Sequence, residues 1–163
     1  MMSHACGTGD RVPNDIVKIM LLLKIQSLSY GFSGCQLDTV NRLIDFFNNE
    51  IYPVVYMQGS LGASGDLVPL AHLSLPLVGL GEVEHKGMVM SGAEVLQKFD
   101  WQPIKLASKE GLALLNGTQN MGAFAVWALL QSIRLSDWAD KIAAMSLDAY
   151  YGLTAPFTDA VHQ

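Results

Sequence analysis

From about Gln119 to Tyr150 the sequence keeps a helical period without a break, and Val126, Leu129, Leu130 and Ile133 fall on one stripe. That one element commits the chain to a mainly α fold and raises the question of what covers its apolar face. Half of the 163 residues are hydrophobic and only 15% are charged, a composition that excludes a disordered chain. Mean hydropathy is +0.27, high for a free-standing soluble domain. Of the two explanations, a large core or apolar surface meant for a partner, the second is favoured.

Shorter helices precede the long one. Asn14 or Asp15 is expected to cap a helix after Pro13, with Ile16, Ile19, Met20 and Leu23 on its inner face. Gly31 and Gly34 end it, and a second helix places Leu37, Val40, Leu43, Ile44 and Phe47 on one stripe. Residues 51–62 read as irregular. A third helix starts at Asp66 and tolerates Pro69 in its first turn, where amides lack an intrahelical acceptor. Residues 82–90, turning on Lys86-Gly87, form the one hairpin candidate. Residues 91–99 and 108–115 read as short helices, and Asn116-Gly117 breaks the chain before the long helix.

The net charge of −5 leaves no basic field, so nucleic acid is not an expected partner. Cys6 and Cys35 lack metal or redox spacing, and no metal site is expected. Residues 1–10 have neither a basic nor an apolar leader region. The longest apolar stretch, Leu67 to Leu80, contains His72, Ser74 and two prolines and is too short to cross a bilayer. The chain is therefore expected to be cytoplasmic, without a membrane partner. Both ends read as cut, so residues 1–163 are expected to be a single partial domain.

Chemistry concentrates in Gly59-Ser60-Leu61-Gly62-Ala63-Ser64-Gly65-Asp66-Leu67. A flexible glycine loop before a helix N-cap is one reading. A phosphate cradle is another, although the spacing matches neither a dinucleotide fingerprint nor a P-loop. A hydrolase nucleophile elbow would need Gly-x-Ser-x-Gly after a strand, and neither condition is met. The fourth reading is self-modification. The unhindered amide of Gly65 attacks the Ala63 carbonyl, one water leaves to close a five-membered ring, and the Ser64 hydroxyl leaves as a second water. The product is an exocyclic methylidene conjugated to the ring. A helix starting at Asp66 would direct its positive end at the triplet and favour negative charge developing there.

The run Gly62-Ala63-Ser64-Gly65-Asp66-Leu67-Val68-Pro69-Leu70-Ala71 resembles the signature of the ammonia-lyases and aminomutases that build methylidene-imidazolone from Ala-Ser-Gly. A second run, residues 109–119 (Lys-Glu-Gly-Leu-Ala-Leu-Leu-Asn-Gly-Thr-Gln), is similar to the same family. The likeness continues through Gly31-Phe32-Ser33-Gly34 and Tyr52-Pro53. It implies a fragment of a helical-bundle fold and a self-made electrophile that engages the substrate amine. It also implies a homotetramer and no diffusible cofactor or metal. Ala63, Ser64 and Gly65 would form the cofactor, with Gly62 and Asp66 supporting it. Asn116 would lie beside the cofactor and the substrate amine, and Leu115 would line the pocket.

Ser3-His4, followed by Ala5-Cys6-Gly7-Thr8-Gly9, resembles the members that act on histidine. Ser3 and His4 would then read the substrate ring, since one imidazole can donate where another accepts. The implied reaction is conversion of L-histidine to urocanate and ammonia, with His4 and Asn116 as the catalytic pair within this stretch. The resemblance puts one tyrosine upstream, and an arginine, a second tyrosine and an acidic residue downstream, outside residues 1–163. Another lyase or aminomutase of the family, or a non-enzymatic helical interaction module, stays open. The isolated stretch is expected to be inactive, with residues 59–65 relaxed or mobile and the triplet unclosed. His72 is expected to be a satisfied buried histidine, His85 to sit on a surface hairpin, and Lys109-Glu110 to begin a solvated turn.

Overall fold

The computed structural model describes residues 1–162 and divides into two compact units, residues 1–126 and residues from Trp127 onward. In the first unit, α1 (Asn14–Ser29) and α2 (Leu37–Asn48) pack against each other. Their buried faces are Ile16, Val17, Met20, Leu21 and Leu28 on α1, and Val40, Leu43 and Phe46 on α2. Fully burying such a side chain contributes about 1.5–3 kcal/mol each, so this pair anchors the unit. The α1 stripe is rotated from the expected one, because Ile19 and Leu23 are only half-buried while Val17 and Leu21 are fully covered. Asn14 does not cap α1. Pro13 precedes the helix, and the Asn14 side-chain Nδ2 donates instead to Glu84 Oε1 at 2.7 Å.

Residues 51–62, expected to be irregular, supply two short strands. β2 (Ile51–Pro53) is the outer strand of an antiparallel sheet β2-β4-β5, with β4 at Glu82–His85 and β5 at Met88–Ser91. β3 (Tyr56–Gln58) pairs antiparallel with β1 (Thr8–Arg11), with a register shift between Thr8 and Arg11. Strands of three residues carry too little period to be seen in sequence. The β4–β5 hairpin turns on Lys86-Gly87 as expected, both at positive φ (52° and 77°), the backbone demanded by the tightest two-residue hairpin turn.

His85 is not a surface residue: it is 3% exposed and packs edge-on against Phe99, with Trp101 and Phe46 stacked beyond it. α4 (Gly92–Lys98) opens with a capping box in which the Ser91 hydroxyl accepts from the Glu94 amide and Glu94 accepts from the Ser91 amide. α3 (Leu67–Ser74) runs into a 3-10 turn, Leu75–Val78, and α5 (Glu110–Leu115) contacts α3. Leu70, Leu73, Leu77, Leu114 and Ala123 close the same core.

α6 spans Gln119–Ala149, close to the expected limits. From residue 127 onward its side chains belong to the second unit, which continues through 3-10 turns at Ala155–Phe157 and Asp159–Val161. None of residues 127–162 is buried. Its Ser132 and Ser146 hydroxyls donate back to the carbonyls of Ala128 and Ile142, keeping those groups within the helix.

Candidate active site

The Ala63-Ser64-Gly65 turn sits between the end of β3 and the start of α3. Backbone bridges join Gly62 to Gly65 and Ala63 to Gly65, which folds the two ends of the triplet onto each other. Gly65 has φ +91°, and a Cβ there would stand 2.5 Å from the Gly117 carbonyl oxygen and 2.9 Å from its nitrogen. No side chain fits, so Gly65 is required by close backbone approach. The turn is tighter than the relaxed loop expected for residues 59–65.

Asp66 holds this arrangement from below. It is fully buried and immediately precedes α3, but its carboxylate does not cap that helix. Oδ2 accepts from the Met121 amide at 2.9 Å, one of the first-turn amides of α6 that lack an intrahelical acceptor. Oδ1 accepts from the Ser60 hydroxyl at 2.8 Å. The Asp66 amide donates to the Gly117 carbonyl at 2.7 Å. One residue thus ties together the approach to the triplet, the start of α6 and the Asn116-Gly117 break. The starts of α3 and α6 both converge here, and the Asp66 carboxylate is the negative group that the first turn of α6 receives.

Asn116 is the C-terminal boundary of α5, exposed, with its amide donating to the Leu112 carbonyl at 2.9 Å. Leu115 is buried, 5% exposed. Gly62 has only the Met121 sulfur near it, 3.8 Å from a Cβ built there. Ser3 and His4 lie in a 3-10 turn, Met2–His4, that contacts α3. Both are exposed, and the Ser3 hydroxyl hydrogen-bonds His4 Nδ1 at 3.1 Å. Gly7 then donates its amide to His72 Nε2 at 3.0 Å, with Tyr56 edge-on to the same ring. His72 is accordingly a satisfied, half-buried histidine, and burial lowers its pKa. It fastens the segment after His4 to α3.

Two residues were misjudged or passed over in sequence. Glu110 does not begin a solvated turn. It is fully buried and accepts from the Ala107 amide (2.6 Å), the Gln36 amide (2.7 Å), the Gln36 side chain (2.5 Å) and the Thr39 hydroxyl (2.9 Å). Burial opposes its ionisation, but these donors hold its carboxyl below the usual range. Lys24, on the buried face of α1, donates to the carbonyls of Ala113 (2.7 Å) and Asn116 (3.0 Å). The signal was present: Ile16, Met20, Lys24 and Leu28 share one helix face, so a charge stands in an apolar stripe.

Among the described residues no cluster of His, Cys, Asp or Glu has the geometry of a metal site, and Cys6 and Cys35 are unpaired. No helix among the described residues is long and apolar enough to cross a membrane.

The aromatic amino acid lyase family model matches the chain that carries this turn over residues 1–163. The chain belongs to that family. It is 52% identical over all 163 residues to a histidine ammonia-lyase of Legionella pneumophila, and 45% identical over 162 residues to one of Shouchella clausii. In each case it spans 32% of the relative's length. Among solved structures, histidine ammonia-lyase from Trypanosoma cruzi matches with a TM-score of 0.92 at 32% identity, covering 99% of this chain and 32% of that one. Pantoea agglomerans phenylalanine aminomutase matches with a TM-score of 0.92 at 35% identity, covering 99% and 31%. The fold is that of the ammonia-lyases, mainly helical with small antiparallel sheets.

Proposed function

We propose that the complete protein containing this chain is a cytoplasmic homotetramer that converts L-histidine to urocanate and ammonia. Its electrophile would be methylidene-imidazolone made from Ala63, Ser64 and Gly65. The observation that carries the reading is the Ala63-Ser64-Gly65 turn itself, doubled back by the Gly62–Gly65 and Ala63–Gly65 bridges with Gly65 packed against the Gly117 backbone. When formed, the group supplies an electrophilic carbon for the substrate and so makes its nitrogen a better leaving group.

The residues of this chain do the rest of the work within its span. Asp66, tied to Ser60 and to the first turn of α6, holds the triplet in one geometry. The Asn116 side chain, free of structural duties, offers a donor and an acceptor to the substrate amine. Leu115 gives the pocket an apolar wall. Ser3 and His4 present the hydroxyl and imidazole that distinguish an imidazole ring from a phenyl ring. In the reaction the Cα–N bond breaks, the Cβ–H electrons become the new double bond, and the proton passes to a base outside residues 1–162.

Ring closure needs a compressed backbone, and such strain persists only where surroundings over-determine it. The isolated stretch would therefore remain unclosed and inactive, while the remaining two thirds of the protein would complete the site and cover α6. Incubating the complete protein with L-histidine and following urocanate absorbance tests the reading; phenylalanine or tyrosine turned over as fast as histidine sinks it. The likeness to an aminomutase supports one second reading, in which ammonia returns to the β-carbon. Product analysis separates the two.

A further inference from the structure

Lys24 is 1% exposed, yet no carboxylate pairs with it: the ion pairs among the described residues are Lys18–Glu50 and Arg42–Asp45. A buried ammonium without a counter-ion is costly. Its partners are the Ala113 and Asn116 carbonyls, at the end of a six-residue helix. Carbonyls there lack intrahelical donors, and the helix end favours a cation. The contact spans 89 and 92 residues of sequence, so it fixes the α5 terminus against α1 rather than merely finishing α5.

The next residue matters most. Gly117 follows Asn116 directly, and its carbonyl and nitrogen form the wall against which Gly65 is pressed. Its carbonyl also receives the Asp66 amide. Any shift of the Asn116 carbonyl therefore moves both the Asn116 side chain and the wall behind the triplet.

We infer that Lys24 is a positioning residue for this site, clamping the Ala113 and Asn116 carbonyls and so setting where Asn116 and Gly117 stand against the Ala63-Ser64-Gly65 turn. The inference rests on the lyase reading for its catalytic consequence, though not for its structural one. Burial pulls the Lys24 pKa down to about 8. That direction agrees with a group retained for geometry rather than for stability. Methionine, unbranched and one atom shorter, fills most of the same space without a charge to desolvate, so Lys24→Met is the informative variant.

In the complete protein, Lys24→Met is expected to stay folded and to lose about ten- to hundredfold in kcat, as small misplacements of catalytic groups do. KM should change far less. Intact mass should show a larger share of chains that have not lost two waters. Amide exchange should speed up over residues 110–121 and stay unchanged over residues 37–48. Wild-type kcat with unchanged exchange overturns the inference. If wild type itself makes no urocanate and loses no water, the lyase reading falls, and the exchange data alone judge Lys24. Should Lys24→Met not fold, Lys24→Gln, which keeps a donor, is read the same way. Failure of both to fold would make Lys24 a support of the fold and overturn the positioning role.

Discussion

Residues 1–126 and residues 127–162 draw on similar side chains and place them oppositely. In the first unit Met20, Leu21, Leu43, Phe46, Leu70 and Leu73 are fully buried. In the second, Leu129 is 61% exposed, Leu135 69% and Met145 72%. Exposed apolar side chains occur in the first unit too, Phe32 and Leu61 among them, but only the second unit has no buried residue to set against them. A long helix has only its neighbours to bury it, and within residues 127–162 there are none. The first unit, by contrast, bends its chain back often enough to make a core, and the candidate site lies where those returns meet. The candidate site and the core share one unit, whereas the apolar stripe of the other stands exposed.

The contrast can be broken in order of expected effect. Ser64→Ala in the complete protein should reduce histidine deamination by at least about a thousandfold, since it removes the hydroxyl whose loss creates the electrophile. Melting of the fold should be unaffected. Near-normal turnover would end the cofactor reading. Next comes packing: Phe46→Ala, fully buried and stacked toward Trp101, should cost about 3–5 kcal/mol in urea unfolding.

A smaller effect follows from Lys24. Its folded-state pKa of about 8 lies below the ordinary 10.5. Between these values the unfolded chain binds more protons, so the Lys24 contribution to stability improves as pH rises through that window. Below about pH 8 the burial penalty is fully in place. The gain is at most about 3 kcal/mol. Lys24→Met should flatten this slope. The comparison is made in a Cys35→Ser background, because the Cys35 thiol interacts with Lys24 and is itself raised by burial and by Glu110, against Lys24 and Lys109. An unchanged slope would mean that Lys24 is not desolvated in solution.

Smallest of all, Leu135→Ala should change the stability of residues 1–163 by no more than about 0.5 kcal/mol. The same substitution in the complete protein sharpens the comparison. A cost of about 2 kcal/mol or more there would show that the α6 face is buried in the assembly.

Much of this was legible in the sequence for one reason: local periods and local turn chemistry are written in consecutive residues. The Lys86-Gly87 turn, the break at Asn116-Gly117 and the length of α6 follow from spacing and from the φ preferences of glycine. The α2 stripe was only half right: Val40 and Leu43 are buried, but Leu37 is 72% exposed and Phe46 takes the place expected for Phe47. The Ala63-Ser64-Gly65 triplet was readable too, because its chemistry lies between adjacent backbone groups. What spacing could not decide was which face of a residue meets a distant part of the chain. Glu110 and His85 look solvated from their neighbours in sequence and are buried by segments far away. Lys24 looks like an exception in an apolar stripe until the α5 carbonyls arrive beside it. Asp66 reads as the cap of its own helix and instead satisfies the first turn of another. Only the tertiary structure settled these, because an unpaired buried polar group costs more than local propensity returns, and its partner is chosen by whichever distant backbone the fold leaves without one.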